Sequence, residues 1–356
     1  MSRIYITASS DTSIYERYAN LNTGHDEILE VGKKQDNLEI TNGQVRSLIK
    51  FTLTDLLGAP TTSNAYLNLK IANATKLNQN QLVYVYPVSR SWEEGSGYFE
   101  QSPIKSDDGA TWTTYASASN WSGSSDAQHG ANSPAHGAGG DYNFTPVVSA
   151  SVADIINDEI RINVTPIIQP MVSASAGSVT SNYGMMMTFS GSSASNIRNV
   201  GNIKFFSRQT HTVHAPTLEF VWANHSIVTG SLKTLSSLDI EIAPKNMKTE
   251  YKVGEVAKMR FTVRDRYPTK TFSNTRRFDN RYYLPPSGSI YTIVDAGSGT
   301  TIVPFDEYSH LDCDTTGSYL MLDTKPLYKN RFYDLSLKIT LSNEVYFSRP
   351  FRFKVV

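Results

Sequence analysis

Residues 46–53 read RSLIKFTL, residues 65–71 read AYLNLKI and residues 82–88 read LVYVYPV. Apolar side chains fall at every second position, with polar ones between them. A period of two sends one set into a core and the other toward solvent, which marks a half-buried strand rather than a helix. Residues 160–164 (IRINV) and 217–222 (TLEFVW) repeat the pattern. Gly, Ser, Asn and Pro clusters separate the runs and supply the turn conformations that strands need. Little helical periodicity lies between them, so the strands are expected to pair antiparallel in two-sheet sandwiches. The fold class is all-β.

At 356 residues the chain suits two domains. The first is expected over residues 1–226, a linker over 227–237 and a second β domain over 238–356. In the first, residues 92–142 form one long loop rich in Gly, Ser, Ala and Asn. Three of the four tryptophans, Trp92, Trp112 and Trp121, lie in it. A loop of that length is either functional or packed by its own side chains. Two short helices are expected, over 149–156 and over 165–172, the latter entered at Pro166. In the second domain strands are expected near 238–242, 257–263, 289–294, 318–322, 332–341 and 345–356, about the number an Ig-like domain requires. Residues 264–286 (RDRYPTKTFSNTRRFDNRYYLPP) interrupt them as an arm that mixes cations with aromatic rings.

Composition narrows the function. Lys plus Arg and Asp plus Glu each number 33, so the chain lacks the positive field that nucleic-acid binding needs. The single cysteine, Cys313, allows neither an internal disulfide nor a thiolate metal cluster, and it reads as a buried structural thiol. The opening MSRIYITASSD has no apolar stretch of signal-peptide length, and no window approaches a transmembrane span. Sec-type secretion and membrane insertion are therefore not expected. Yet a Ser-, Thr-, Asn- and Tyr-rich chain with little helix suits an extracellular surface. A protein made in the host cytoplasm and carried outside within an assembly, such as a virion, reconciles the two.

The order RSLIKFTL, AYLNLKI, LVYVYPVSRSWEEGSG, DGATW, GGDY, IRINVTPIIQPM, NYGMMMTF and FFSRQTHTVHAPTLEFVW resembles jelly-roll modules of the DNRLRE type. That family is similar to carbohydrate-binding modules and is attached to secreted enzymes, surface proteins and phage structural proteins. The second half carries KNMKTEYKVGEVAKMRFTVRDRYPTKTFSNT, LPPSGSIYTIVDAGSGTTIVPFDEYSHLDCD and the closing FRFKVV. These resemble the C-terminal domain of structural proteins in tailed phages, notably marine cyanophage-type viruses. The resemblance implies an N-terminal jelly-roll β-sandwich, a C-terminal Ig-like β-sandwich and a place in a virion.

Exposed aromatic rings stack on sugar faces, so Trp112, Tyr115, Trp121 and Tyr98 are candidate glycan contacts. The competing reading is that these rings, and Trp92 with them, plug the long loop onto the sheets. Tyr267, Lys270, Phe272, Arg276, Arg277, Phe278, Arg281 and Tyr282 of the arm are candidate subunit-docking residues, because Arg and Tyr are enriched at binding hot spots. No catalytic residues are expected. Glu93 and Glu94 would point to opposite faces of an extended segment, and Asp107–Asp108 and Asp312/Asp314 sit in turn-like contexts. No nucleophile elbow, phosphate loop or CxxC is present. His211 and His214 are spaced for opposite strand faces, which disfavours a zinc pair. No cofactor is expected; a structural calcium ion is the one candidate metal, with Asp11, Asp26, Asp107, Asp108 and Asp141 as ligands.

The expectation is a non-enzymatic virion component, most naturally of the neck or collar. It would form a homo-oligomer, dock on portal, neck, tail or capsid proteins and project its jelly roll outward. The alternative is a glycan-binding adhesin of a tail, baseplate or fibre that contacts a host glycan.

Overall fold

The computed structural model describes residues 3–34, 43–56, 63–77, 81–100, 108–121, 139–155, 158–172, 182–189, 201–222, 225–267 and 282–356. The fold is all-β, built from sandwiches. Two compact units are present: Tyr5–Phe220, and Val221–Val356 together with Met1–Ile4.

The first unit begins with β1 (Arg3–Thr7), β2 (Ser10–Tyr15), β3 (Ile28–Lys34), β4 (Gly43–Lys50), β5 (Asn64–Thr75) and β6 (Leu82–Pro87). Two short strands, β7 (Thr114–Ala116) and β8 (Ser119–Asn120), form a separate hairpin. Then come β9 (Val148–Ser151), β10 (Glu159–Asn163), helix α1 (Thr165–Val172), β11 (Met185–Phe189), β12 (Gly201–Phe206) and β13 (Thr217–Val221). The strands run in the order β1-β13-β5-β12-β3-β4-β11-β6-β9, with β10 also on β5 and β2 also on β4. The long β5 serves two layers. Its first half pairs with β10 (Leu67↔Ile162), and its second half pairs with β12 (Ala74↔Ile203).

Period-two burial is clean where only one face is covered. In β5, Ala65, Leu67 and Leu69 are buried while Tyr66, Asn68 and Lys70 are partly exposed. In β4 and β11 both faces are covered, and Val45 through Ile49 and Met185 through Phe189 are all buried. The second cover is the long loop. Trp92, Ala110, Trp112, Trp121 and Tyr142 pack with Ile14, Leu48, Tyr86, Val88 and Met186 in one cluster. Burying rings of that size contributes on the order of 2–3 kcal/mol each, enough to hold irregular chain on a sheet.

Residues 149–155 form no α-helix. Val148–Ser151 forms β9, paired antiparallel with β6, and a 3-10 turn follows at Val152–Asp154. Ser151 and Asp154 close that turn as a capping box. An isolated helix this short is marginal, and here β6 offers backbone partners at Leu82–Val85. Residues 156–157 lie outside the described part. The helix over 165–172 does form, as α1 with Pro166 in its first turn.

The second unit contains β14 (Lys233–Thr234), β15 (Ile240–Lys245), β16 (Glu250–Tyr251), β17 (Val256–Asp265), β18 (Tyr282–Tyr283) and β19 (Ser289–Asp295). It continues with β20 (Thr301–Val303), β21 (Asp312–Asp314), β22 (Gly317–Asp323), β23 (Arg331–Leu341), β24 (Glu344–Phe347) and β25 (Phe351–Val355). One sheet orders β15-β17-β22-β21, and the other β16-β25-β23-β19-β20 with β24 also on β23. Between them lies a core that includes Met259, Phe261, Leu320, Leu322, Tyr333, Leu335, Leu337 and Phe353. The closing run expected over 345–356 divides into β24 and β25 at Ser348-Arg349-Pro350, since Pro350 has no N–H for the ladder.

Candidate functional site

Two loops of the first unit, residues 16–26 after β2 and residues 88–100 after β6, are tied together by polar side chains. Asn22 is fully buried, and its amide bonds to both loops and to Ala110. Its Nδ2 donates to the Glu94 carbonyl at 2.8 Å and the Ala110 carbonyl at 2.9 Å. Its Oδ1 accepts from the Gly97 N–H at 2.8 Å and the Gly24 N–H at 3.2 Å. The Asp26 carboxylate accepts from the Phe99 N–H at 3.1 and 3.2 Å. Gly95 has φ of +76°, and a Cβ there would lie 2.1 Å from the Asp108 carbonyl oxygen, so no larger residue fits.

A charged layer lies beneath. Asp11 is 1% exposed, and its Oδ2 accepts from the Arg208 N–H at 2.7 Å. Glu94 Oε1 accepts from the Asp11 N–H at 2.9 Å and sits 3.2 Å from Arg208 Nε. Arg208 also donates to the Ser9 carbonyl, and neighbouring Ser207 accepts from the Gln209 N–H at 3.0 Å while donating to the Asp26 carbonyl. The FFSR stretch is thus the clamp that fixes both loops. Burial pushes the Asp11 carboxyl up to about 7 against the partial relief of the Arg208 N–H, with the Glu94 charge adding to the rise. Burial raises Glu94 and Asp26 as well.

This scaffold holds aromatic rings at the rim. Tyr98 is 48% exposed and meets the His25 ring edge-on at 5.8 Å. Phe99, half-buried, meets exposed Tyr18 edge-on at 5.7 Å and buried Tyr15 at 5.0 Å. Both exposed rings belong to cross-loop pairs, which restrict the orientation of each. Exposed rings of restricted orientation suit the C–H face of a pyranose.

The remaining residues singled out from the sequence divide differently. Trp112 and Trp121 are 7% and 1% exposed, and their indole faces are taken up by the loop cluster. Trp121 Nε1 donates to the Thr111 carbonyl at 2.9 Å, and Trp92 Nε1 donates to the Tyr183 carbonyl at 2.8 Å. Arg46 lies with its guanidinium 4.9 Å from the Trp112 ring and donates to the Gly139 carbonyl at 2.6 Å. Tyr115 is half-buried between Trp121 and Arg90, whose guanidinium is 4.7 Å from its ring. Of the four candidate glycan contacts, Tyr98 alone is exposed. Tyr18, Phe99 and His25 were missed. Tyr18 is an aromatic residue in polar turn sequence (ERYAN), which a strand-directed reading passes over.

In the arm, Tyr267 is 79% exposed. Tyr282 is in β18 and donates to Asp265 at 3.2 Å. Lys270, Phe272, Arg276, Arg277, Phe278 and Arg281 lie outside the described residues, as does Asp107. Asp108 accepts from the Ser96 N–H at 3.0 Å, and Asp141 pairs with Arg90 at 3.2 Å. Among the described residues no group of three or more His, Cys, Asp or Glu is placed to hold a metal. His211 and His214 stay apart, the first 3.5 Å from Glu27 and the second against the Phe206 ring. Cys313 is buried, and burial raises its thiol. Among the described residues no helix is long and apolar enough to cross a membrane.

Residues 2–126 match carbohydrate-binding module family 96, a little over a third of the chain. No curated protein matches. Among solved structures, a DUF4785 family protein from Legionella pneumophila is 9% identical with a TM-score of 0.19. The alignment covers 100% of this chain, which spans 65% of the length of that one. The adhesin domain of Epf from Streptococcus pyogenes is 9% identical with a TM-score of 0.16, over 99% of this chain and 91% of that one. Likenesses this loose carry no weight. The matched segment is similar to a class of non-catalytic, β-rich sugar-binding domains.

Proposed function

We propose that the chain is a non-enzymatic glycan-binding component, with Tyr18, Tyr98, Phe99 and His25 as its contact face. One observation carries this reading: the stretch similar to carbohydrate-binding module family 96 contains both loops that hold exposed, paired rings. A glycan array on the full chain tests it. At least one immobilised oligosaccharide should be retained, and Tyr98→Ala or Tyr18→Ala should each weaken that binding about tenfold, the loss typical of an aromatic contact residue. Retention unchanged in the double variant would refute the contact face.

Within that reading we place the protein in a tailed-phage virion, either as a tail, baseplate or fibre adhesin or as a neck or collar protein. The likeness of both halves to phage structural proteins supports it. So does Tyr267, which stands 79% exposed at the root of the basic-aromatic arm and suits docking on a neighbouring subunit. Deleting residues 269–280 should leave the fold intact and abolish incorporation into particles. Particles that still carry the deleted chain would count against docking through the arm.

A further inference from the structure

The outer face of the six-stranded sheet in the second unit carries a depression that nothing above uses. In β23, Tyr333 and Leu335 point inward with 0% exposure, and Phe332 and Asp334 alternate outward. Phe332 is 52% exposed, an unusual position for a phenyl ring on a sandwich face. The register aligns it with Lys354 on β25, and aligns Asp334 with Arg352. Beside Phe332, the Ala296 N–H bonds to its carbonyl at 2.9 Å and brings the turn after β19 alongside. Together Ala296, Gly297, Asn330, Arg331, Phe332 and Arg352 line a hollow of about 330 Å³ with Asp295 at its edge.

Its charges cancel locally. Arg352 and Asp334 form a planar pair with two parallel bonds of 2.8 Å each. Arg331 Nε meets Asp295 at 2.6 Å, and Lys354 lies 3.9 Å from Glu250. Asp295 is further spent on the N–H groups of Gly297 and Ser298, at 2.8 and 3.0 Å. Each arginine of the lining is already paired with a carboxylate, so the hollow offers no unpaired cation to an anion. What remains is an apolar ring, with Lys354 Nζ 6.0 Å from its centroid, beside a carboxylate–guanidinium pair whose remaining lone pairs and N–H groups accept and donate side by side. That combination matches an uncharged pyranose: an axial C–H face for the ring and adjacent hydroxyls for the ion pair.

We infer that this hollow is a second carbohydrate subsite, selective for neutral sugars and independent of the rim in the first unit. The test is a titration of the isotope-labelled full chain, read from backbone amide shifts. Probes are cellohexaose, maltohexaose, mannohexaose and xylohexaose, with hexagalacturonate as the acidic comparison. At least one neutral hexaose should shift the amides of 296–297, 331–332 and 352–354 saturably. Phe332→Ala should weaken that binding about tenfold, Arg352→Ala several-fold, and Phe332→Tyr little. Phe332 and Arg352 are solvent-facing, so these variants should fold, and their unshifted remaining spectra check it. The inference is overturned by shifts that persist in Phe332→Ala, by tighter binding of hexagalacturonate than of every neutral probe, or by no shift at these amides with any neutral probe. The Tyr18→Ala/Tyr98→Ala variant should leave these shifts in place, so either site can fail alone.

Discussion

Arg46 shows what one residue does in this fold. It stands in RSLIKFTL where the alternation calls for an outward side chain, yet it is buried. The loop that covers it supplies the Gly139 carbonyl, the Trp112 ring at 4.9 Å and the Tyr142 ring at 5.7 Å. Gly139 has φ of +95°, and a Cβ there would come within 2.7 Å of Arg46 Nη1. Arg46→Ala should therefore cost about 2–4 kcal/mol in urea unfolding, because it strands a buried carbonyl and opens a cavity. Arg46→Met, which keeps the packing, should cost less. Asp11 makes a prediction of a different sign. Its carboxyl titrates near 7 when folded and near 3.8 when free, so the folded state holds a proton that the unfolded chain has released. Stability then falls as pH rises through that window, by at most about 1.4 kcal/mol per pH unit, and the penalty is complete above it. The urea midpoint should be lower at about pH 8 than at about pH 5, and Asp11→Asn should flatten that difference. An equal slope in the variant would remove Asp11 from the account.

At the scale of elements, strands were legible and their cover was not. A period of two located β5, β10 and β23, because one covered face leaves a clean alternation, and it located β6 and β13 although their burial is more continuous. It did not show that β4 and β11 are covered twice, since a loop's landing place depends on contacts far along the chain. Residues 149–156 misled for a related reason: a weak local helix pattern lost to the open edge of β6. The tryptophans could not be sorted from sequence into plugs and contacts, because both roles use the same side chain. Asn22 gives the element-scale test. Four hydrogen bonds pass through its amide, three to the two loops and one to Ala110. Asn22→Ala should raise the hydrogen-exchange rate of the Gly97 and Gly24 amides about tenfold or more while β5 and β12 stay protected. Uniform loss of protection would mean that the loops and the sandwich unfold as one.

For the whole molecule, two β units present sugar-compatible surfaces built by different means. In the first, irregular loops clamped by buried polar groups hold the rings of Tyr18 and Tyr98; in the second, a regular sheet face exposes Phe332. The charge balance of 33 against 33 suits contact with hydroxyl-rich ligands and gives little pull on polyanions. The proposed function was legible only as a class, through resemblance, because the proposed rim forms only once residues 16–26 and 94–100 are brought together. The most direct measurement is hydrogen–deuterium exchange of the full chain with and without the best oligosaccharide from the array. Protection should appear in residues 16–26 and 94–100 and vanish from those two loops in Tyr18→Ala/Tyr98→Ala. Protection elsewhere with those two loops unchanged would contradict the rim as the glycan-binding face.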